Sequence, residues 1–212
     1  MWRTALVSLV GIGIAAASAF SLTEGFEVWT AEGARRLAVI ERPVAAPRVM
    51  LAGPGWNGHS LPEVLHGEGK GDGRVTVVNF VYTRCPSVCL ALGSSFQQMQ
   101  TALAATASDD VHLLSISFDP AHDGDAQLAQ YALQWHADPR HWRFATVPDT
   151  QQLQRLLDAF QVTLIADGHG GYEHNAALMV IDAQGRLVRI FDADEPEAAL
   201  AFARSLLARP TT

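Results

Sequence analysis

Two cysteines, Cys85 and Cys89, are the only thiols in the 212-residue chain, and they stand in Thr83-Arg84-Cys85-Pro86-Ser87-Val88-Cys89. The spacing is C-x-x-x-C. With Pro86 in a first helical turn, Cys85 lies near the N-cap and Cys89 about one turn on. An i, i+4 pair shares a helix face, with Cβ atoms about 5–6 Å apart. A helix N-terminus favours negative charge, so one or both sulfurs are expected to be thiolate near neutral pH. Thiolates are soft ligands that select Cu(I), zinc or iron–sulfur centres. An ordinary disulfide is the competing reading, because cysteine pairs outside the cytoplasm usually oxidise. A bridge across so few residues removes little loop entropy, however, and braces poorly. Two cysteines are too few for a disulfide scaffold or a four-cysteine zinc site.

The elements around the pair set the geometry. Val75–Tyr82 is a β-branched and aromatic run, the pattern of a strand buried on both faces. Leu90–Ala107 places Leu92, Phe96, Met99 and Leu103 on one helical face. Val111–Phe118 reads as a second strand and Asp125–Trp135 as a helix. Trp142–Ala145 is a short strand, and Thr150–Phe160 a helix with Thr150 as N-cap. Ala176–Ile181 and Leu187–Phe191 flank Asp182-Ala183-Gln184-Gly185 and form a hairpin with glycine at the left-handed position. Pro196–Leu207 is a final amphipathic helix. Parallel βαβ units followed by an antiparallel hairpin and a helix give an α/β, thioredoxin-like order with a central mixed sheet. The thiols fall at its first strand-to-helix turn.

Eight histidines are candidates for a third ligand. His112 sits in a strand. His122, His136 and His141 lie in polar stretches expected to be exposed, and His59 and His66 in a glycine-rich segment. His174 ends the loop that begins at Gly168 and precedes the hairpin strand. In a thioredoxin-like fold that loop faces the thiol turn. Thioredoxin-type oxidoreductases carry a cis-proline there, whereas this chain has no proline between Pro148 and Pro196. Two thiolates and one imidazole suit a trigonal Cu(I) site, or a Cu(II) site with an added ligand. Structural zinc would require a fourth ligand.

The first 22 residues contain one basic side chain, Arg3, and an apolar run from Ala5 to Leu22. That length approaches the lower limit of about 17 residues for a membrane span. Ala17-Ser18-Ala19 also resembles a signal-cleavage site. Residues 1–22 are therefore expected to be a membrane anchor or signal segment, with Arg3 inside and the acidic side outside. Residues 23–50 read as a tether with one short strand at Leu37–Ile40, and residues 51–209 as the folded domain. The net charge is −7 with 49% hydrophobic residues, and Lys70 is the only lysine. That composition excludes intrinsic disorder and offers no basic footprint for nucleic acid.

The motifs Val78-Asn79-Phe80-Val81-Tyr82-Thr83-Arg84-Cys85-Pro86-Ser87-Val88-Cys89, Ser115–Pro120 followed by Asp123, and His174 followed by Asn175–Asp182 and Gly185-Arg186 resemble the Sco/SenC family. Those proteins bind copper and help assemble the copper centre of cytochrome c oxidase. The resemblance runs from about Val75 to Phe191. It implies a thioredoxin-like fold, copper ligation by Cys85, Cys89 and His174, and a domain anchored in the inner membrane and facing the periplasm. The implied partners are the oxidase's copper-site subunit or another copper chaperone. His169, five residues before His174, is an alternative ligand. Asp119 matches the family pattern, but its simplest role is to cap the helix after Pro120. Two functions compete: a copper-delivering assembly factor, which is not a catalyst, and a thiol–disulfide reductase that keeps a partner's copper-ligating cysteines reduced. A peroxidase is disfavoured, because Thr83 stands two residues before Cys85 rather than three.

Overall fold

The computed structural model describes residues 2–22, 30–56, 58–66, 74–85, 88–106 and 111–207. The chain divides into two compact units, residues 1–41 and 42–212. The first holds α1 (Trp2–Leu22) and α2 (Ala31–Glu41). Large apolar side chains on α1, among them Leu6, Leu9, Ile12 and Ile14, are exposed. Among the described residues, no helix is long and apolar enough to cross a membrane.

Helix α2 corrects the expected strand at Leu37–Ile40. Thr30 Oγ1 accepts from Gly33 N at 3.0 Å, and Glu32 pairs with Arg35 at 2.9 Å and Arg36 at 3.2 Å. A cap and i, i+3 and i, i+4 ion pairs support a helix, and they outweigh the β preference of Val39 and Ile40. The expected tether also ends early. Its residues Val44–Ala45 form β1, which pairs antiparallel with the strand Arg186–Asp192.

The second unit contains α3 (Leu61–His66), β2 (Val75–Val81), α4 (Val88–Ala104), β3 (Val111–Ser117), α5 (Asp125–Gln134), β4 (Trp142–Thr146) and α6 (Thr150–Ala159). It continues with β5 (Leu164–Ala166), β6 (Tyr172–His174), β7 (Ala177–Ile181), β8 (Arg186–Asp192) and α7 (Pro196–Leu207). Six strands form one sheet in the order β1-β8-β7-β2-β3-β4, and β5 and β6 form a separate two-stranded ribbon. The β2–β3 and β3–β4 pairs are parallel, and β2–β7 and β7–β8 antiparallel, which is the mixed sheet the element order implied.

All seven residues of β2 are buried, as expected for a central strand covered on both faces. Leu92, Phe96, Met99 and Leu103 of α4 are buried against the sheet side of the helix. A side chain at Gly93 would collide with the Trp135 ring, so the glycine admits the indole to the helix surface. Gly185 turns the β7–β8 hairpin at φ +70°, a conformation that favours glycine. The cap of α6 is Asp149 rather than Thr150: its carboxylate accepts from Gln152 N at 2.9 Å. Pro86 and Ser87 lie outside the described residues, as do Gly67, Gly69, Gly71 and Gly73 of the glycine-rich segment.

Candidate metal centre

Strand β2 delivers the chain to a turn at the C-terminal edge of the sheet. Cys85 N donates to the Tyr82 carbonyl at 3.2 Å, and α4 starts three residues later. Cys89, in the first turn of α4, is fully buried, and Cys85 is half-buried. Cys89 N donates to Cys85 Sγ at 3.4 Å, so an N-terminal amide of α4 is directed at that sulfur. Both residues are thiols rather than a disulfide. Burial pushes the Cys89 thiol's pKa well up, and the neighbouring Cys85 adds to it. Of the one or both sulfurs expected as thiolate, Cys89 is held as the thiol, because there desolvation outweighs the helix dipole. A metal bound at Cys89 would have to displace that proton.

Two aspartates hold the turn in place. Buried Asp123 accepts from Thr83 N at 2.9 Å, Thr83 Oγ1 at 2.6 Å and Ser117 Oγ at 2.6 Å. Asp119 does not cap a helix, because α5 begins at Asp125 with Gly124 at its N-cap. Its carboxylate instead accepts from Arg84 at 2.8 Å and pairs with His122 Nδ1 at 2.9 Å. Burial opposes its ionisation, but the bonds from Arg84 and His122 win and keep its pKa below the ordinary value. The segment after β3 thereby fixes the residues just before Cys85.

His174 ends β6 and packs edge-on against Phe118, with ring centroids 5.2 Å apart. Phe118 is 5.2 Å from Tyr82, whose hydroxyl donates to the Tyr172 carbonyl at 3.3 Å and accepts from Tyr172 N at 3.1 Å. Burial raises the Tyr82 pKa and Cys85 adds to it; the Tyr82 carbonyl accepts from Cys85 N at 3.2 Å, which sets the cluster beside the thiol turn. The thiols and His174 thus adjoin one aromatic cluster. Both ring nitrogens of His174 are buried without a hydrogen-bond partner. Burial lowers its pKa from 6.5 to about 4, so the imidazole is neutral at physiological pH.

His169 is exposed and turns its Nδ1 to the Asp167 carbonyl at 2.9 Å, inside its own loop. His141, expected in an exposed stretch, is buried. Among the described residues, no three His, Cys, Asp or Glu side chains are grouped so as to hold a metal ion as they stand. The fold brings Cys85, Cys89 and His174 to one cluster without setting them at ligating distances. The donors nonetheless fit a soft metal: two sulfurs, and an imidazole with two orphaned buried nitrogens, which is otherwise costly to leave unsatisfied.

Tyr82, Phe118, Tyr172 and Asp123 were not singled out from sequence as parts of the site. Tyr82 and Phe118 close the two buried strand runs, and that end position was the available signal.

A mixed sheet with parallel βαβ units, a thiol pair at the first strand-to-helix turn and a histidine beside the same aromatic cluster define a thioredoxin-like fold with soft donor atoms at one end of its sheet. The SCO1/SenC family model matches residues 64–206, and the chain belongs to that family. The SCO1 protein homolog of Bacillus subtilis is 22% identical over 125 residues, covering 58% of this chain and 64% of the relative. The chain therefore matches less than two thirds of that relative's length. The structure of Bradyrhizobium japonicum ScoI with copper bound superposes with a TM-score of 0.60 at 23% identity, covering 76% of this chain and 99% of the other. BsSco, a Sco-family cytochrome c oxidase assembly protein described with a disulfide switch, gives a TM-score of 0.66 at 19% identity, covering 79% and 95%.

Proposed function

We propose that this chain carries copper as cargo for the assembly of a copper centre, that of cytochrome c oxidase, and holds it through Cys85, Cys89 and His174. One observation carries the reading: the two nitrogens of His174, buried and unpartnered, on the aromatic cluster that adjoins the thiols. A neutral imidazole whose two nitrogens are both buried is poorly placed for acid–base work and well placed to donate to a soft cation. Family membership and the copper-bound relative support the same choice. Residues 1–22 would act as membrane anchor or cleaved signal and put the domain outside the cytoplasm, facing the periplasm. The exposed apolar side chains of α1 support this placement.

The test is copper stoichiometry after anaerobic reconstitution. One Cu(I) per chain is expected. Cys85→Ser and Cys89→Ser should abolish tight binding, His174→Ala should weaken it, and His169→Ala should leave it intact. Unchanged affinity in His174→Ala would remove His174 from the site.

A second reading has its own observation. Half-buried Cys85 in front of buried Cys89, with an amide directed at its sulfur, is the layout of an attacking and a resolving thiol. Cys85 would attack a partner disulfide and Cys89 would resolve the mixed disulfide. Two electrons and two protons would pass to the partner's dithiol, leaving Cys85–Cys89 oxidised.

A further inference from the structure

At the opposite edge of the sheet from the thiols lies a cavity of about 390 Å³ whose lining includes Trp56, His59, Glu63, Arg74, His112 and Arg143. Thr76 at its floor and Val81 at the thiol edge are five residues apart along β2, about 17 Å at 3.3 Å per residue. The lining carries two arginines against one carboxylate, with two histidines beside them, in a chain whose net charge is −7 with histidine neutral.

The cationic wall is built rather than incidental. Trp56 is buried and fixed by its Nε1, which donates to the Phe144 carbonyl at 2.8 Å. The Arg143 guanidinium stacks on that ring, 4.9 Å from the centroid, and its Nε donates to the Pro139 carbonyl at 2.8 Å. Stacking and one backbone bond set the guanidinium plane before any ligand arrives. Its two Nη groups, the fork that grips an oxyanion, are left without a partner among the described residues. His59 packs edge-on to Trp56 at 6.5 Å, and its buried Nδ1 has no hydrogen-bond partner. Glu63 is occupied elsewhere, accepting from Ser60 N at 2.8 Å and meeting Arg48 at 3.5 Å.

We propose that this cavity binds a small multiply charged oxyanion, a phosphate or a polycarboxylate, with Arg143 as its principal clamp. The site is independent of the copper reading. It shares no residue with the thiol turn, and its occupant would be recognised through the guanidinium fork.

The experiment is calorimetric titration of the full chain with inorganic phosphate and, separately, citrate, at constant ionic strength with sodium chloride as the control. Saturable one-site binding of at least one of the two is expected, with none for chloride. The better ligand identifies the source as phosphate or carboxylate. Arg143→Gln should weaken binding at least tenfold and Arg143→Lys by less, because lysine keeps the charge and loses the fork. Cys85→Ser should bind as the natural chain does. Ligand-induced change in tryptophan fluorescence, followed in each variant beside its circular dichroism, separates lost binding from lost fold. No saturable binding of either anion, or equal affinity in a folded Arg143→Gln variant, would overturn the proposal.

Discussion

His174 is placed to act as a donor because it cannot readily act as a base. Its ordinary pKa of 6.5 is lowered to about 4 by burial. Above pH 6.5 the ring is neutral in native and unfolded chains alike. Between pH 6.5 and 4 the unfolded chain takes up a proton that the native one refuses, so the group's contribution to stability falls as pH falls. The apo protein should therefore lose stability on acidification through that window, and His174→Phe should show a flatter profile. Denaturant titrations at several pH values check this, and an unchanged slope in the variant would contradict it. Tyr82 makes a different contribution. Its hydroxyl ties β6 to the thiol turn through both backbone groups of Tyr172. Tyr82→Phe keeps the ring packing and removes the tie, so it should perturb the Cu(II) spectrum and lower copper affinity with the melting temperature little changed.

At the scale of elements, the segment joining β3 to α5 acts as a buttress. Asp123 is fully buried and accepts three hydrogen bonds from Thr83 and Ser117. Asp123→Ala leaves buried donors unsatisfied and should destabilise the domain by about 3 kcal/mol, a fall in melting temperature of roughly 6–12 °C at this size. A scanning-calorimetry shift below about 2 °C would show that the turn holds itself. This buttress was half legible in the sequence. The strand ends and the aspartates stood in a recognisable order, but hydrogen bonds across 40 residues leave no periodic trace, and Asp119 looked like a helix cap for that reason. Strands β2 and β3 and the α4 face were readable because burial writes its period directly into residue type. Leu37–Ile40 was misread because its β-branched residues gave a local signal that capping and ion pairs upstream overrode. The ribbon of β5 and β6, three residues per strand, is too short to carry an alternation of its own. His174 stood out through the missing proline, and its aromatic neighbours Phe118 and Tyr82 did not.

Across the whole molecule, the sheet separates two chemistries: soft donors at the C-terminal edge of β2 and β3, and a cationic cavity at the N-terminal edge. At the proposed copper site the copper and disulfide states would exclude each other, because a sulfur in a disulfide has no thiolate to offer a metal. Oxidised protein should take up no Cu(I) until reduced, and full occupancy in protein with no titratable thiols would contradict this. The apo domain should also reduce generic disulfides slowly compared with a thioredoxin. The loop before β7 carries His174 where the oxidoreductases carry a proline, and Cys89 is held protonated by burial.

The central claim is that copper is held by two sulfurs and one particular imidazole. X-ray absorption at the copper edge of the Cu(I)-loaded full chain measures that ligand set directly. The account predicts two sulfur scatterers and one nitrogen in the natural chain, loss of the nitrogen in His174→Ala, and its retention in His169→Ala. A shell with fewer than two sulfurs, or a nitrogen that persists in His174→Ala, would contradict it.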